Sequence, residues 1–135
     1  MATMYPIVFF GSEFVPSNKA TLSIASSAVL YGLSVYTVFP VCSSDSKELL
    51  AFRLPLHYER LINSCKIIGI DTFHTQMSYK QFEGYVKTLL KQNSVNQDVF
   101  VRATVHVDAQ IAGTRSRGLS TVLSMFVYDA VPILP

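Results

Sequence analysis

The sequence predicts an α+β fold, a mainly antiparallel sheet with two helices packed on one face. Three observations carry this. Segments with strand-like alternation occupy both ends of the 135-residue chain, and two segments of helical period lie together between them. No strand–helix–strand alternation links them, as a parallel sheet would require. The length suits a single domain able to bury a real core.

Tyr5 to Phe9 is a short apolar strand, and Gly11-Ser12 predicts a hairpin turn into Glu13 to Val15. Pro16-Ser17-Asn18 makes a second turn. Leu33, Val35, Thr37, Phe39 and Val41 then share one face of a long strand, with Ser34, Tyr36 and Val38 on the other. Pro40 cannot donate to a ladder and marks the end of a central strand or an edge. Cys42 to Lys47 reads as a polar loop, and Leu49 to Arg53 as the next strand.

Two helices follow. Pro55 suits a first helical position, where its missing N–H costs nothing. Tyr58, Leu61, Ile62, Cys65 and Ile68 recur with helical spacing, and Gly69 caps the end. The second helix opens on Ser78-x-x-Gln81, a capping box. Tyr79, Phe82, Val86, Leu89 and Leu90 form its apolar face, and Gly84 inside it costs about 1 kcal/mol relative to alanine, so this helix depends on packing. Tyr58, Leu61, Ile62, Cys65, Phe82, Val86 and Leu89 are expected to be buried. Two strands close the chain: Val99, Val101, Ala103, Val105 and Val107 alternate with Phe100, Arg102, Thr104, His106 and Asp108. A Gly/Ser/Arg loop from Ala109 to Gly118 then leads to Thr121–Tyr128.

Charge is sparse. Only 15% of residues are charged, against about 25% in an ordinary soluble domain, with net charge +2 and mean hydropathy +0.33. Such a surface is expected to be covered in part, by a partner subunit or by a second domain. Disorder, a coiled coil and an electrostatic nucleic-acid binder are excluded as main readings. No charge falls in the 25 positions from Ala20 to Ser44, but six serines and a period-two second half argue against a membrane span. The apolar run near Met1 lacks the basic start of a signal peptide. Cys42 and Cys65 have no metal-ligand spacing, and His57, His74 and His106 are scattered. No metal site is expected, and a reduced, cytoplasmic protein is. The apolar, proline-bearing tail Asp129–Pro135 looks like a linker, so 1–135 reads as a single small domain, the first of a larger protein.

Two arginines are candidates for binding an anion. Arg60 sits beside the apolar stripe of its helix, on the side of His57 and Ser64, and its planar fork suits a phosphate. The ordinary alternative is an exposed helix arginine. Arg102 lies mid-strand among Phe100, Thr104 and His106, where a lone cation is costly unless it meets an anion or water. Tyr31 and Tyr36 flank Gly32 and suit a pocket wall, as they would suit a core. The Arg115-Ser116-Arg117-Gly118 loop could hold an anion, or be a solvated hairpin.

Taken together, Tyr31-Gly-Leu-Ser-Val-Tyr36, then His57-Tyr-Glu-Arg60-Leu61 with Ser64-Cys-Lys66, then Phe100-Val-Arg102 resemble the small N-terminal domain of the class IV (fold-type IV) aminotransferases. The family patterns run Y-G-x-x-V-F-E, H-x-x-R-L-x-x-S-A-K and Y-x-R-P, and order and spacing match along nearly the whole chain. These enzymes depend on pyridoxal 5'-phosphate and include branched-chain and D-amino acid aminotransferases and aminodeoxychorismate lyase. The resemblance implies that Arg60 holds the cofactor phosphate, and that Tyr31, Tyr36, Phe100 and Arg102 line the substrate pocket. It also implies a homodimer acting on an amino acid and a 2-oxo acid; composition and charge already leave no nucleic acid or membrane partner expected. The Val-Arg strand is most like the L-branched-chain type, with an aminodeoxychorismate lyase or a D-amino acid aminotransferase as the alternative within the family. Positions that depart from the pattern include Thr37 where the family has Glu, Phe100 for Tyr, and Ala103 for Pro. The Schiff-base lysine belongs to the family's second domain and is matched by neither Lys66 nor Lys80. Alone, then, the chain is expected to be inactive with no catalytic residue of its own. A non-catalytic binding or dimerisation module that kept the fold is the alternative of another class.

Overall fold

A computed structural model describes residues 3–46, 48–113 and 115–130. Six strands form one sheet: β1 (Ile7–Phe10), β2 (Glu13–Pro16), β3 (Ser34–Ser43), β4 (Leu49–Ala51), β5 (Val99–Val107) and β6 (Thr121–Asp129), in the order β2-β1-β6-β5-β3-β4. Every pairing is antiparallel, as the alternation predicts. Among the described residues four α-helices accompany it, α1 (Ser27–Tyr31), α2 (Leu54–Ile67), α3 (Phe73–Gln76) and α4 (Tyr79–Gln92), with a single 3-10 turn at Ser17–Lys19. The predicted tail residues Val131–Pro135 lie outside the described part.

The two long helices pack on one face, where Phe39 of β3 meets both His57 of α2 and Phe82 of α4. The odd-numbered residues of β3 and β5 supply this core: Phe39, Val41, Val99, Val101, Ala103, Val105 and Val107 are buried, and so are Leu61, Cys65, Phe82, Val86 and Leu89 from the helices. Tyr58 and Ile62, expected to be buried, are only half-buried. They sit at the margin of the α2 stripe, and the Tyr58 hydroxyl reaches out to the Met77 carbonyl. The Ser78 capping box forms as expected, with Gln81 N–H donating to Ser78 Oγ and Ser78 N–H to Gln81 Oε1. No helix among the described residues is long and apolar enough to cross a membrane.

Four details differ from the sequence reading. Two short helices, α1 and α3, were not expected, because each is too brief to show a period. α1 is instead defined by its ends, with Ser26 Oγ accepting from Val29 N–H and Gly32 closing the helix at φ 65°. β4 stops at Ala51 rather than Arg53, since Arg53 takes a left-handed conformation (φ 52°, ψ 40°) to start α2. Pro55 therefore occupies the second helical position, after Leu54. Pro40 lies inside β3 rather than ending it, and it does stand at an edge, since β4 pairs only with Val41–Ser43. Its carbonyl accepts from Phe52 N–H at 3.0 Å, so the missing donor faces the last rung toward β4 and leaves the β5 ladder intact.

Beyond that rung most of β3 is uncovered. β4 pairs only with Val41–Ser43, so from Ser34 to Phe39 no strand lies outside β3 among the described residues. The sheet has a free edge there, with α2 on one side of it and the open sheet face on the other.

Candidate functional site

Consecutive strand residues point to opposite faces, and at Tyr36-Thr37 this places two different groups on either side of the free β3 edge. Thr37 points under α2. It is buried, and its Oγ1 lies 2.8 Å from Nδ1 of His57. His57 and Arg60 are one helical turn apart and share a side of α2. Burial first, and then the Arg60 charge, push the His57 pKa below its ordinary value, which keeps the ring neutral. Arg60 itself is exposed, as the spacing of the α2 stripe predicts.

Tyr36 points to the other face. Its exposed ring carries the Arg102 guanidinium 3.8 Å from the ring centroid, a cation–π stack. Arg102 is half-buried and opposite Phe126 in the β5–β6 register. Its charge is also felt at Tyr128, where it opposes the rise that burial produces, and at His106, where it adds to the lowering by burial. Phe100 packs on Tyr128 at 5.7 Å between centroids, and Tyr128 on Phe126 at 5.8 Å. The Arg102 face is thus an aromatic floor around one cation.

Neither arginine is neutralised. Among the described residues the one ion pair is Glu83–Lys87 on α4. A mainly apolar pocket of about 310 Å³ is lined by Phe126 together with His106 and Ser124, whose Nε2 and Oγ are 2.8 Å apart.

The structure therefore brings Tyr36 and Arg102 together, sets Phe100 in the same aromatic layer, and puts Arg60 across the strand edge. Tyr31 lies elsewhere: it ends α1, and its hydroxyl accepts from Gly113 N–H at 2.9 Å, tying α1 to the 109–118 loop. Two donors of the Arg115–Gly118 segment are engaged within the fold. Gly118 N–H is already donated to Asp71 Oδ1, and Ser116 Oγ donates to the Ile68 carbonyl. Gly69 makes room for this contact, since a Cβ there would meet Ser116 Oγ at 2.6 Å. No cluster of three or more metal-ligating side chains exists among the described residues.

Phe126, Tyr128 and the Thr37–His57 contact were missed by reading the sequence. The first two could have been found, because the even positions of β6 fall on the Arg102 face once its register is known. The third required α2 to be placed over β3.

The antiparallel α+β sheet with paired helices on one face is the kind of fold that the resemblance to the class IV aminotransferases implies. Comparison with known proteins agrees. No family model matches the chain. A probable branched-chain-amino-acid aminotransferase of Synechocystis sp. is 27% identical over 108 residues, 78% of this chain and 34% of the relative. A D-alanine aminotransferase of Staphylococcus epidermidis is 30% identical over 98 residues, 72% of this chain and 32% of the relative. The branched-chain aminotransferase of the thermophilic archaeon Thermoproteus uzoniensis, solved with norvaline, has the same fold. Its TM-score is 0.84 at 22% identity, over 94% of this chain and 41% of that one. The chain is homologous to the class IV aminotransferases and corresponds to their small N-terminal domain. It spans about a third of the length of these curated relatives.

Proposed function

We propose that the chain is the small domain of a pyridoxal 5'-phosphate-dependent aminotransferase, which moves an amino group between an amino acid of the L-branched-chain type and a 2-oxo acid. The observation that carries this reading is the pair of unneutralised arginines, Arg60 and Arg102, on opposite sides of the free β3 edge. One cation suits a phosphate and the other a carboxylate, and a substrate–cofactor pair presents both. The class IV relatives support it.

The residues present fit the cofactor. Arg60 is exposed, carries a permanent charge, and has a neutral imidazole beside it rather than a carboxylate that would compete for it. In this reading Arg60 donates to the phosphate. The cofactor, when bound, supplies a carbonyl that accepts and returns the amino group. Arg102 pairs with the carboxylate of the substrate, held in orientation by its stack on Tyr36. Phe100 and its neighbours on the sheet face exclude water and offer an apolar wall to a branched aliphatic side chain. Tyr31 serves the site of a neighbouring subunit in a cytoplasmic homodimer. A second domain, beyond residues 1–135, brings the lysine that holds the cofactor covalently.

The full-length parent protein provides the test. It should bind pyridoxal 5'-phosphate and transaminate L-leucine with 2-oxoglutarate, and should handle D-alanine poorly. A parent that bound no cofactor would return the chain to the non-catalytic module, and a preference for D-alanine would correct the substrate alone.

A further inference from the structure

We propose that Thr37 fixes His57 as a neutral Nε2–H donor, so that His57 and Arg60 together form a two-donor site for a phosphate monoester dianion. This rests on the reading that Arg60 faces a phosphate, and adds to it a second, positioned donor and the residue that positions it.

The geometry decides which atom holds the proton. Thr37 is 2% exposed, and Nδ1 of His57, at 2.8 Å, is the hydrogen-bond partner of its Oγ1 among the described residues. A buried hydroxyl proton must be donated somewhere, because an orphaned donor carries its full desolvation cost. The Thr37 O–H therefore donates, Nδ1 accepts with its lone pair, and the ring proton sits on Nε2. Protonating Nδ1 would force it to donate back and leave the hydroxyl proton with no acceptor. That adds to the burial and to the Arg60 charge that already disfavour the imidazolium.

The ring is also held in place. It packs against Phe39, 5.6 Å between centroids and tilted 46°, while the Thr37 bond pins its inner nitrogen. The opposite nitrogen, Nε2, is then directed away from Thr37. His57 is half-buried, so the ring has one side in the core and one toward solvent, one helical turn from Arg60. A neutral donor there suits an anion already met by one permanent cation. Its N–H adds a directed bond without the repulsion that a second positive charge would exert on Arg60.

Threonine sets this polarity. A carboxylate at position 37, as in the pattern the sequence resembles, would accept from Nδ1–H. The proton would leave Nε2, which would become an acceptor that repels phosphate, and a negative charge would stand near Arg60. The substitution of Glu by Thr thus reverses the imidazole and raises the net positive charge of the site by one.

The test uses the 135-residue chain, ¹⁵N-labelled, with long-range ¹H–¹⁵N correlation of the histidines and titration with inorganic phosphate near neutral pH. His57 is expected as the Nε2–H tautomer, and its Nε2–H signal should move on adding phosphate. Thr37→Val, nearly isosteric, should give a tautomer mixture, and Thr37→Glu the Nδ1–H form or the cation. His57→Leu should weaken phosphate binding about five-fold, as for one lost hydrogen bond. His57→Gln, which keeps a side-chain N–H near the Nε2 position, should recover most of it. If Arg60→Ala leaves phosphate binding unchanged, or the chain binds none, the reading of Arg60 falls and the proposal with it. If binding depends on Arg60 but His57 is the Nδ1–H tautomer, or His57→Leu binds as tightly as the parent, the two-donor site alone is overturned. Should Thr37→Val not fold, the tautomer of the unsubstituted chain and the two His57 variants still decide.

Discussion

The two sides of the β3 edge solve the same problem differently. On the helix side Arg60 stands exposed, beside an imidazole anchored in the core through Thr37. On the open face Arg102 is half-buried and rests on the ring of Tyr36. Both cations lack a carboxylate, yet one is kept free by solvent and the other by aromatic stacking. The difference teaches that a charge-poor chain can present two cations without a carboxylate partner on either side of one strand, provided that adjacent residues point to opposite faces. Tyr36 and Thr37 are that pair.

The packed side should break hardest. Leu61→Ala opens a cavity under α2 and is expected to cost about 2–5 kcal/mol in urea unfolding. On the open side, Tyr36→Ala removes an exposed ring and its stack on Arg102, and should cost only about 1 kcal/mol in the same assay. Equal losses would mean that the open face is as much a core as the helix face.

Stability should also depend on pH in a way that involves both sides. His57 and His106 are each lowered by burial and by a neighbouring arginine, although Asp108 opposes the shift at His106. A depressed histidine means that the unfolded chain binds protons first as pH falls. Stability is therefore full above the unfolded value of about 6.5 and declines as pH drops through the lowered folded values. Below them this contribution levels off. Unfolding curves at a series of pH values should show the decline, and His106→Gln should reduce it; a rise in stability on acidification would contradict both assignments.

The smallest effect separates the two thiols. Burial raises Cys65 to about 11, while Cys42 is exposed on β3. Iodoacetamide should modify Cys42 in the native chain and reach Cys65 only on unfolding, as peptide mass mapping would show.

Most of the fold was legible because it is written in periodicity. The alternation of Val99–Val107 and the stripe of Leu61 and Cys65 are long enough to reveal what they bury. α1 was not legible: five residues show no period, and only Ser26 and Gly32 mark its ends. The ending of β4 was hidden for another reason, since nothing local announces that Arg53 adopts a left-handed conformation. For the site, the individual residues were visible but not their grouping. Arg60, Tyr36 and Arg102 stand out by type and spacing, whereas Thr37–His57 and Phe100–Tyr128 join residues 20 and 28 positions apart, and depend on the crossing of α2 over β3 and on the register of β5 with β6.

The arginines on the two sides of β3 are proposed to hold different anions. The most direct test of this is cofactor retention in the full-length parent protein, measured by equilibrium dialysis against pyridoxal 5'-phosphate for Arg60→Ala and Arg102→Leu. Charge-assisted bonds are worth about 1.5–3 kcal/mol each. Arg60→Ala should therefore lose about ten-fold or more in affinity, with stability changed by less than about 1 kcal/mol as for an exposed site. Arg102→Leu should retain the cofactor and instead raise KM for the carboxylate substrate. An Arg60→Ala protein that retained the cofactor as tightly as its parent, or equal losses from both variants, would contradict the division of roles.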